Sequence, residues 1–179
     1  IGDNAFASCY SLTTVIIGNN VTILGNYVFS DCNSLTSITI PEGVTVIGDY
    51  AFAQCSSLTK IIIPNGVTSI GENAFVNCGS LTSITIPDGV TYIEDGTFWG
   101  CNSLKDIAIP NSVISIENRA FAFCSSLTNI SIPKNLKSIG ENAFENCELL
   151  KNIYITDILA WCNISFRNGN SNPLCHMGN

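Results

Sequence analysis

Cysteine is the residue type in this sequence whose number and spacing most invite chemistry. Seven of the nine cysteines are 23 residues apart: Cys9, Cys32, Cys55, Cys78, Cys101, Cys124 and Cys147. Zinc sites need closely spaced pairs of cysteines, and this sequence contains none. A disulfide needs a specific separation of two Cβ atoms, which regular spacing along the chain need not supply. We therefore expect these seven cysteines to be buried free thiols that pack as small apolar side chains.

The other two cysteines and the single histidine lie near the end of the chain. A disulfide between Cys162 and Cys175 stays open from the sequence. His176 follows Cys175, so a base or a metal ligand is the chemical alternative to an exposed tail residue at this position. The motifs of serine hydrolases, zinc peptidases and phosphate-binding loops are missing. We therefore predict that the chain is not an enzyme and needs no metal ion or cofactor.

A column of acidic and amide residues has the same 23-residue period and is the best candidate for a cation site. Its members are Asp3, Asn26, Asp49, Glu72, Asp95, Asn118 and Glu141. Stacked carboxylates suit calcium, but the glycine-rich signature of calcium-binding β-helices is missing. Asn26 and Asn118 also carry no charge. Because Asp and Asn often accept backbone N–H groups at the start of helical turns, we expect this column to cap a short turn.

The elements that position these residues follow from the internal repeat. Phenylalanine recurs in phase with the cysteines, at Phe6, Phe29, Phe52, Phe75, Phe98, Phe121 and Phe144. Residues 70–92 form one unit, IGENAFVNCGSLTSITIPDGVTY. Its LTSITI segment alternates apolar and polar residues, which predicts a half-buried strand that Pro87 ends, and VTYI predicts a second short strand. Between units, the residues around Asn73 predict one helical or 3-10 turn that points Phe75 and Cys78 inward.

These units cannot bury their apolar faces separately, so they must stack on one continuous core. The predicted fold is a solenoid with a 23-residue period: a right-handed, β-dominated superhelix with a parallel sheet and short helical or 3-10 turns. Leu81, Ile84 and Ile86 fit the L-x-x-L-x-L pattern of leucine-rich repeats. The phenylalanine and cysteine columns should then form ladders inside the core.

The repeat unit resembles one particular class of leucine-rich repeat. The IGENAF segment, the F-x-x-C spacing and the LTSITIPDGV segment are similar to the BspA-like (Treponema-type) leucine-rich repeat. The resemblance implies seven such repeats over residues 1–161. Residues 162–179 resemble a divergent segment, which we expect to be the truncated end of a longer protein.

Composition and charge exclude several kinds of partner. Charged residues make up only 12% of the chain, so much of the surface must consist of Ser, Thr and Asn. The formal net charge is −7, and nucleic acid binding needs clustered basic residues. Residues 1–100 contain eight acidic residues and one basic residue, Lys60. We therefore do not expect the chain to bind nucleic acid. We also do not expect it to insert into a membrane, because no apolar run approaches the length of a bilayer span.

The outward side chains of the first predicted strand are the candidate binding residues. They differ in type from unit to unit, whereas the inward ones stay the same, as expected for a solvent face beside a packed core. Exposed aromatic residues on the same or the second strand are the best anchors for a partner. The candidates are Lys60, Asp106, Asn129, Asn152, Tyr154, Tyr92 and Trp161, of which the last two should share a column on the second strand.

The resemblance also carries an expectation about function. Proteins with similar repeats are often cell-surface or secreted adhesins, which implies a non-catalytic module that recognises protein or glycan partners outside the cell. The alternative is a passive spacer within a larger surface protein. Because terminal repeats expose apolar surface, we also expect end-to-end self-association of the isolated chain.

Overall fold

The computed structural model describes residues 1–176, apart from the side chains of Asn170 and His176, and residues 1–155 form a stack of 23-residue coils. Each coil contributes two short strands. The first strands are β1 (Thr14–Ile16), β3 (Ser37–Thr39), β5 (Lys60–Ile62), β7 (Ser83–Thr85), β9 (Asp106–Ala108), β11 (Asn129–Ile132) and β13 (Asn152–Ile155). The second strands are β2 (Ile23–Leu24), β4 (Val46–Ile47), β6 (Ser69–Ile70), β8 (Tyr92–Ile93), β10 (Ser115–Ile116), β12 (Ser138–Ile139) and β14 (Ser165–Phe166).

The first strands form one seven-stranded parallel sheet in the order of the coils. Equivalent residues are paired across it, so that Thr14 lies beside Ser37 and Ser37 beside Lys60. The second strands form a three-stranded sheet, β2-β4-β6, and a four-stranded sheet, β8-β10-β12-β14. The predicted parallel solenoid with in-register stacking is thereby confirmed.

The core is built from ladders of identical side chains. The seven phenylalanine rings stack with centroids 5.2–5.7 Å apart, and the rings from Phe29 to Phe144 are fully buried. Leu81, Ile84 and Ile86 are buried as predicted. The first coil departs from the prediction, because Phe6 is only half-buried and Cys9 is exposed. Both lie in the outermost coil, which is covered on one side only.

Six cysteines of the column are buried free thiols with a specific partner. Each Sγ donates a hydrogen bond to the carbonyl oxygen of the phenylalanine 26 residues earlier, at 3.1–3.2 Å. The column therefore links each coil to the preceding one, which a small apolar side chain would not do. Cys162 and Cys175 are also free thiols in the structure, and both are exposed.

The segment that carries Phe75 and Cys78 is a series of tight turns, and the predicted helical turn is wrong. Asn73 and Asn77 have φ angles of 53° and 57°, in the left-handed region, which a right-handed helix excludes. The backbone N–H groups of Asn73, Phe75 and Asn77 instead donate to carbonyl oxygens of the next coil at 2.7–2.9 Å. Every second N–H of this segment thus points along the solenoid axis, as it would in a strand, although left-handed residues recur only at every fourth position.

The polar column joins neighbouring coils, so the prediction that it caps a helical turn is wrong. Asp3 Oδ1 accepts the backbone N–H of Asn26 at 2.7 Å, and Asn26 Oδ1 accepts that of Asp49 at 2.8 Å. The same bond recurs from Glu72 to Asp49 at 2.9 Å. Both Asp and Asn fit because each supplies one short side-chain oxygen.

The regular period ends after β13. Helix α1 (Ile158–Cys162) follows, with Asp157 Oδ1 accepting the N–H groups of Leu159 and Ala160 at its start. Ser165 in β14 pairs with Ser138, an offset of 27 residues in place of 23, so α1 takes up four additional residues. Two 3-10 helices, η1 (Gly169–Ser171) and η2 (Pro173–His176), complete the described chain. Within residues 1–176, no helix has the length and apolar character needed to cross a bilayer.

Candidate binding face

The solvent side of the seven-stranded sheet, which we call the sheet face, consists of two exposed columns on either side of a buried one. From β3 to β9, the strands have the pattern exposed, buried, exposed. One exposed column contains Thr14, Ser37, Lys60, Ser83, Asp106, Asn129 and Asn152, and the other contains Ile16, Thr39, Ile62, Thr85, Ala108, Ser131 and Tyr154. Period-two alternation of the strands produces this geometry.

Five of the seven predicted binding residues lie on the sheet face. Lys60, Asp106, Asn152 and Tyr154 are exposed, and Asn129 is half-buried. Lys60 is two strands from Asp106, a separation of roughly 10 Å at the usual strand spacing. The last three coils therefore hold four of the five residues together, and Lys60 stands apart as the one cationic side chain of the face.

Side-chain amides organise the part of the sheet face formed by β9, β11 and β13. Asn152 Nδ2 donates to Asn129 Oδ1 at 2.7 Å, and Asn129 Nδ2 donates to Asp106 Oδ1 and to Thr128 Oγ1. Each bond joins residues one coil apart or adjacent in sequence. The ladder fixes the orientation of both amides, so their remaining polar atoms are held in place before a partner binds.

A shallow depression lies beside this ladder. Its volume is about 170 Å³, and it is lined by Asp106, Ile107, Ala108, Asn129, Ile130, Ser131 and Tyr154. The small side chain of Ala108 leaves this space next to Tyr154, whose side chain is 54% exposed. An aromatic wall beside a carboxylate and fixed amides suits hydrogen bonding and stacking with a partner.

The other end of the sheet face carries two exposed isoleucines among its polar side chains, and the sequence analysis did not include them among the binding residues. Ile16 is 98% exposed and Ile62 is 64% exposed. A second depression of about 320 Å³ lies around Ile16 and is lined also by Val15, Ile17, Asn19, Thr39 and Pro41. The signal was present in the sequence, because two isoleucines occupy outward positions where the neighbouring coils carry threonine.

The remaining predicted residues lie elsewhere. Tyr92 is 45% exposed but belongs to β8, in the four-stranded sheet. Trp161 belongs to α1 and packs edge-on against Phe166, with ring centroids 5.3 Å apart, so the prediction that it shares a strand column with Tyr92 is wrong. The four additional residues of the last coil move Trp161 out of register. The side chain of His176 lies outside the described residues.

The sheet face combines several kinds of polar group. It offers one amine, one carboxylate, amides, hydroxyls and a phenol, all on short rigid strands. Among residues 1–176, no group of three or more His, Cys, Asp or Glu side chains is arranged to hold a metal ion. The face is suited to many modest contacts spread over several coils.

Comparison with known proteins identifies the same type of repeat and the same fold. A family model described as the BspA type leucine rich repeat region matches residues 1–105 and 45–172, in six copies. The fold is similar to the leucine rich repeat protein of T. pallidum, with 29% identity and a TM-score of 0.78 over 86% of this chain and 72% of that one. No curated protein matches the chain.

Two other solved structures are less similar in sequence and fold. A leucine rich cell surface protein from Faecalibacterium prausnitzii A2-165 is 27% identical, with a TM-score of 0.58 over 94% of this chain and 66% of that one. A leucine-rich repeat protein from Bacteroides ovatus, 24% identical at a TM-score of 0.51, shares the fold. This chain spans about two thirds of the length of both. With the family model spread over nearly the whole sequence, the chain belongs to the family of BspA type leucine rich repeat proteins.

Proposed function

We propose that this chain is a non-catalytic binding module that recognises a protein or glycan partner at the cell surface through the sheet face. One observation carries the proposal: the buried column of the sheet repeats Ile or Val in every coil, whereas the exposed columns beside it change chemistry from coil to coil. Packing explains the uniform column. Solubility alone does not explain the large exposed side chains of Tyr154, Ile16 and Ile62.

The likeness to other proteins supports the location. The F. prausnitzii relative is named a cell surface protein. Six buried thiols without partners in disulfides are compatible with an oxidising exterior here, because the surrounding core shields them from oxidants. The competing proposal is a passive spacer, and the same experiment separates the two.

The test uses immobilised glycans and extracellular matrix proteins as probes, with a variant that carries Lys60→Ala, Asp106→Ala and Tyr154→Ala. We expect the natural chain to bind a subset of the probes and the variant to lose about 30-fold or more in affinity, since one aromatic anchor is commonly worth about 2 kcal/mol. All three side chains are exposed, so the thermal unfolding midpoint should stay within a few degrees of that of the natural chain.

A matched control replaces an aromatic residue away from the sheet face. Tyr10 is 59% exposed, close to the exposure of Tyr154, but lies in the turn that precedes β1, outside the sheet face. Tyr10→Ala should leave binding unchanged. Equal binding by the natural chain and the triple variant would place recognition on another surface, and a natural chain that retains no probe would favour the spacer.

A further inference from the structure

The regular stacking of the repeat, and the residue types in several of its columns, change between the third and the fifth coil. The second strands stop pairing between β6 and β8, although the first strands pair without interruption. The change coincides with a substitution in the column that precedes the polar ladder. That column carries Gly25, Gly48, Gly71 and Gly140, but Glu94 and Glu117 occupy it in the coils between.

Glycine is required in that column for close stacking of the coils. A Cβ on Gly71 would lie 2.6 Å from the backbone nitrogen of Asp49 and 2.7 Å from the carbonyl carbon of Gly48. Real Cβ atoms do not approach backbone atoms so closely, so a coil with Glu at this position has to shift. The polar ladder is interrupted in the same coils: within the described chain, the backbone N–H groups of Asp95 and Asn118 donate to no side chain of the preceding coil. Asn118 Nδ2 donates to Asp95 Oδ2 at 3.2 Å, and the regular bond returns where Asn118 Oδ1 accepts the N–H of Glu141 at 2.8 Å.

Two further columns change in the same coils. The rings of Tyr27 and Tyr50 stack at 4.7 Å, but the equivalent positions in the next two coils are Asn73 and Gly96, so the row of rings stops. Three residues further along each coil, Trp99 stands in a column that carries Ser30, Ala53 and Val76 in the preceding coils. A glycine has thus replaced a large side chain, and a tryptophan stands beside the space that the glycine leaves.

The result is a cleft on the turn side, the side of the solenoid formed by the tight turns that carry the phenylalanine and cysteine columns, and none of its lining residues belongs to the sheet face. Its volume is about 440 Å³, and it is lined by Tyr50, Glu72, Asn73, Asp95, Gly96, Trp99 and Arg119. Asn73 Nδ2 donates to the hydroxyl of Tyr50 at 3.1 Å, which fixes one wall. The indole Nε1 of Trp99 is buried and has no hydrogen-bond partner among the described residues. This volume is in the range of small-ligand sites.

The electrostatic environment of the cleft is acidic. Burial raises the pKa of the neighbouring Glu94, and the carboxylates of Glu117, Glu72, Asp49 and Asp95 raise it further. Arg119 is the single cationic residue of the lining, and it forms no ion pair within residues 1–176. Within the described residues, the carboxylates of Glu72 and Asp95 likewise form no ion pair, and Asp95 Oδ2 accepts a hydrogen bond from the uncharged amide of Asn118.

We propose that this cleft binds a cationic side chain, lysine or arginine, of a partner polypeptide. Glu72 and Asp95 supply the opposite charge, and the faces of Tyr50 and Trp99 supply cation–π contacts. Arg119 weakens the site, because it repels the cation that enters. The site is separate from the sheet face and does not depend on the function proposed for it.

The test uses an acetylated tetra-arginine peptide as probe and the fluorescence of Trp99 as readout, in a Trp161→Phe background that leaves one tryptophan. We expect the peptide to change the emission of Trp99. Glu72→Gln combined with Asp95→Asn should weaken binding by about 10-fold or more, because the opposite charges are removed, and Arg119→Ala should strengthen it by about threefold, because a like charge is removed.

The matched control is Asp88→Asn, which removes one exposed negative charge at the turn after β7, away from the cleft. This change should leave the affinity unchanged. If Asp88→Asn and Asp95→Asn lowered the affinity for the peptide equally, the binding would be non-specific attraction by an acidic protein. Loss of binding in Arg119→Ala, or preference for a tetra-glutamate peptide, would overturn the proposal in favour of an anion site.

Discussion

Phe75→Ala should lower the free energy of unfolding by about 3–5 kcal/mol, the usual cost of removing a fully buried aromatic ring. The Phe75 ring is stacked between Phe52 at 5.4 Å and Phe98 at 5.7 Å, so its loss leaves a gap in the ladder and removes two ring contacts. Because each coil contacts only its neighbours, a gap in the middle also uncouples the two halves. Urea unfolding followed by circular dichroism measures the effect.

Phe6→Ala is the matched control for this prediction. Phe6 belongs to the same ladder but is half-buried and has one ring neighbour, Phe29 at 5.2 Å. We expect it to cost less than half as much as Phe75→Ala. Equal losses at the two positions would show that the stability does not depend on the ladder.

Raising the pH from 9 to 11 should unfold the protein. Burial raises the pKa of Cys101 and Cys147 to about 12 and that of Cys32 to about 11, from an ordinary value of 9.0, and raises the pKa of Cys55, Cys78 and Cys124 further. Thiols of the unfolded chain lose their protons above pH 9, whereas those of the folded chain keep them. The stability is thus intact below pH 9 and falls as the pH rises.

The size of this effect follows from linkage. Each thiol whose pKa is raised on folding removes about 1.4 kcal/mol per pH unit above the unfolded pKa. Six together approach about 8 kcal/mol per pH unit, which is comparable to the whole stability of an ordinary domain. Urea unfolding at pH 8.0, 8.5, 9.0 and 9.5, with a reducing agent present, gives the slope.

Two single variants separate the thiol contribution from other alkaline effects. Cys78→Ala removes one buried thiol, so it should reduce the slope of the free energy of unfolding against pH by the contribution of one proton, about 1.4 kcal/mol per pH unit. Cys162→Ala removes an exposed thiol and should leave the slope as it is. A natural chain that keeps its full stability up to pH 10 would contradict the buried, hydrogen-bonded column.

The period and the core could be predicted because they repeat. Seven copies with Phe, Cys and Leu in phase make the stacking direction unambiguous, and alternation in LTSITI assigns its faces. The partners of the cysteines could not be predicted in the same way. A sequence shows that Cys78 is apolar enough to be buried, but the carbonyl that its Sγ reaches belongs to Phe52 in another coil.

The turn side was mispredicted because local propensity and the solenoid compete there. Asp or Asn before an apolar residue is typical of a helix start. In the solenoid, however, backbone N–H groups have to reach the next coil, and left-handed residues accomplish this at Asn73 and Asn77. Gly96 and Gly100 at the equivalent positions were the signal, because glycine and asparagine tolerate positive φ.

The candidate residues in the regular repeat could be placed from the sequence, whereas those outside it could not. Lys60, Asp106, Asn129, Asn152 and Tyr154 were placed on one face because the strand period fixed their direction. Trp161 was misplaced because four additional residues shift the last coil out of register. The cleft around Trp99 was missed because it results from departures in three columns at once, each of which is unremarkable alone.

The in-register stack can be measured directly with pairs of spin labels. A background for labelling replaces the three exposed cysteines, Cys9, Cys162 and Cys175, by serine. The six buried thiols should then resist the label in the folded protein, because buried neutral thiols do not react.

Labels are introduced at Thr14 paired with Asp106, Asn129 or Asn152, which lie four, five and six coils away in the same exposed column. Pulsed electron resonance should give distances of about 19, 24 and 29 Å, rising in equal steps of about 4.8 Å per coil. Distances that do not rise with the number of coils would contradict the single axis on which the core, the sheet face and the cleft all depend.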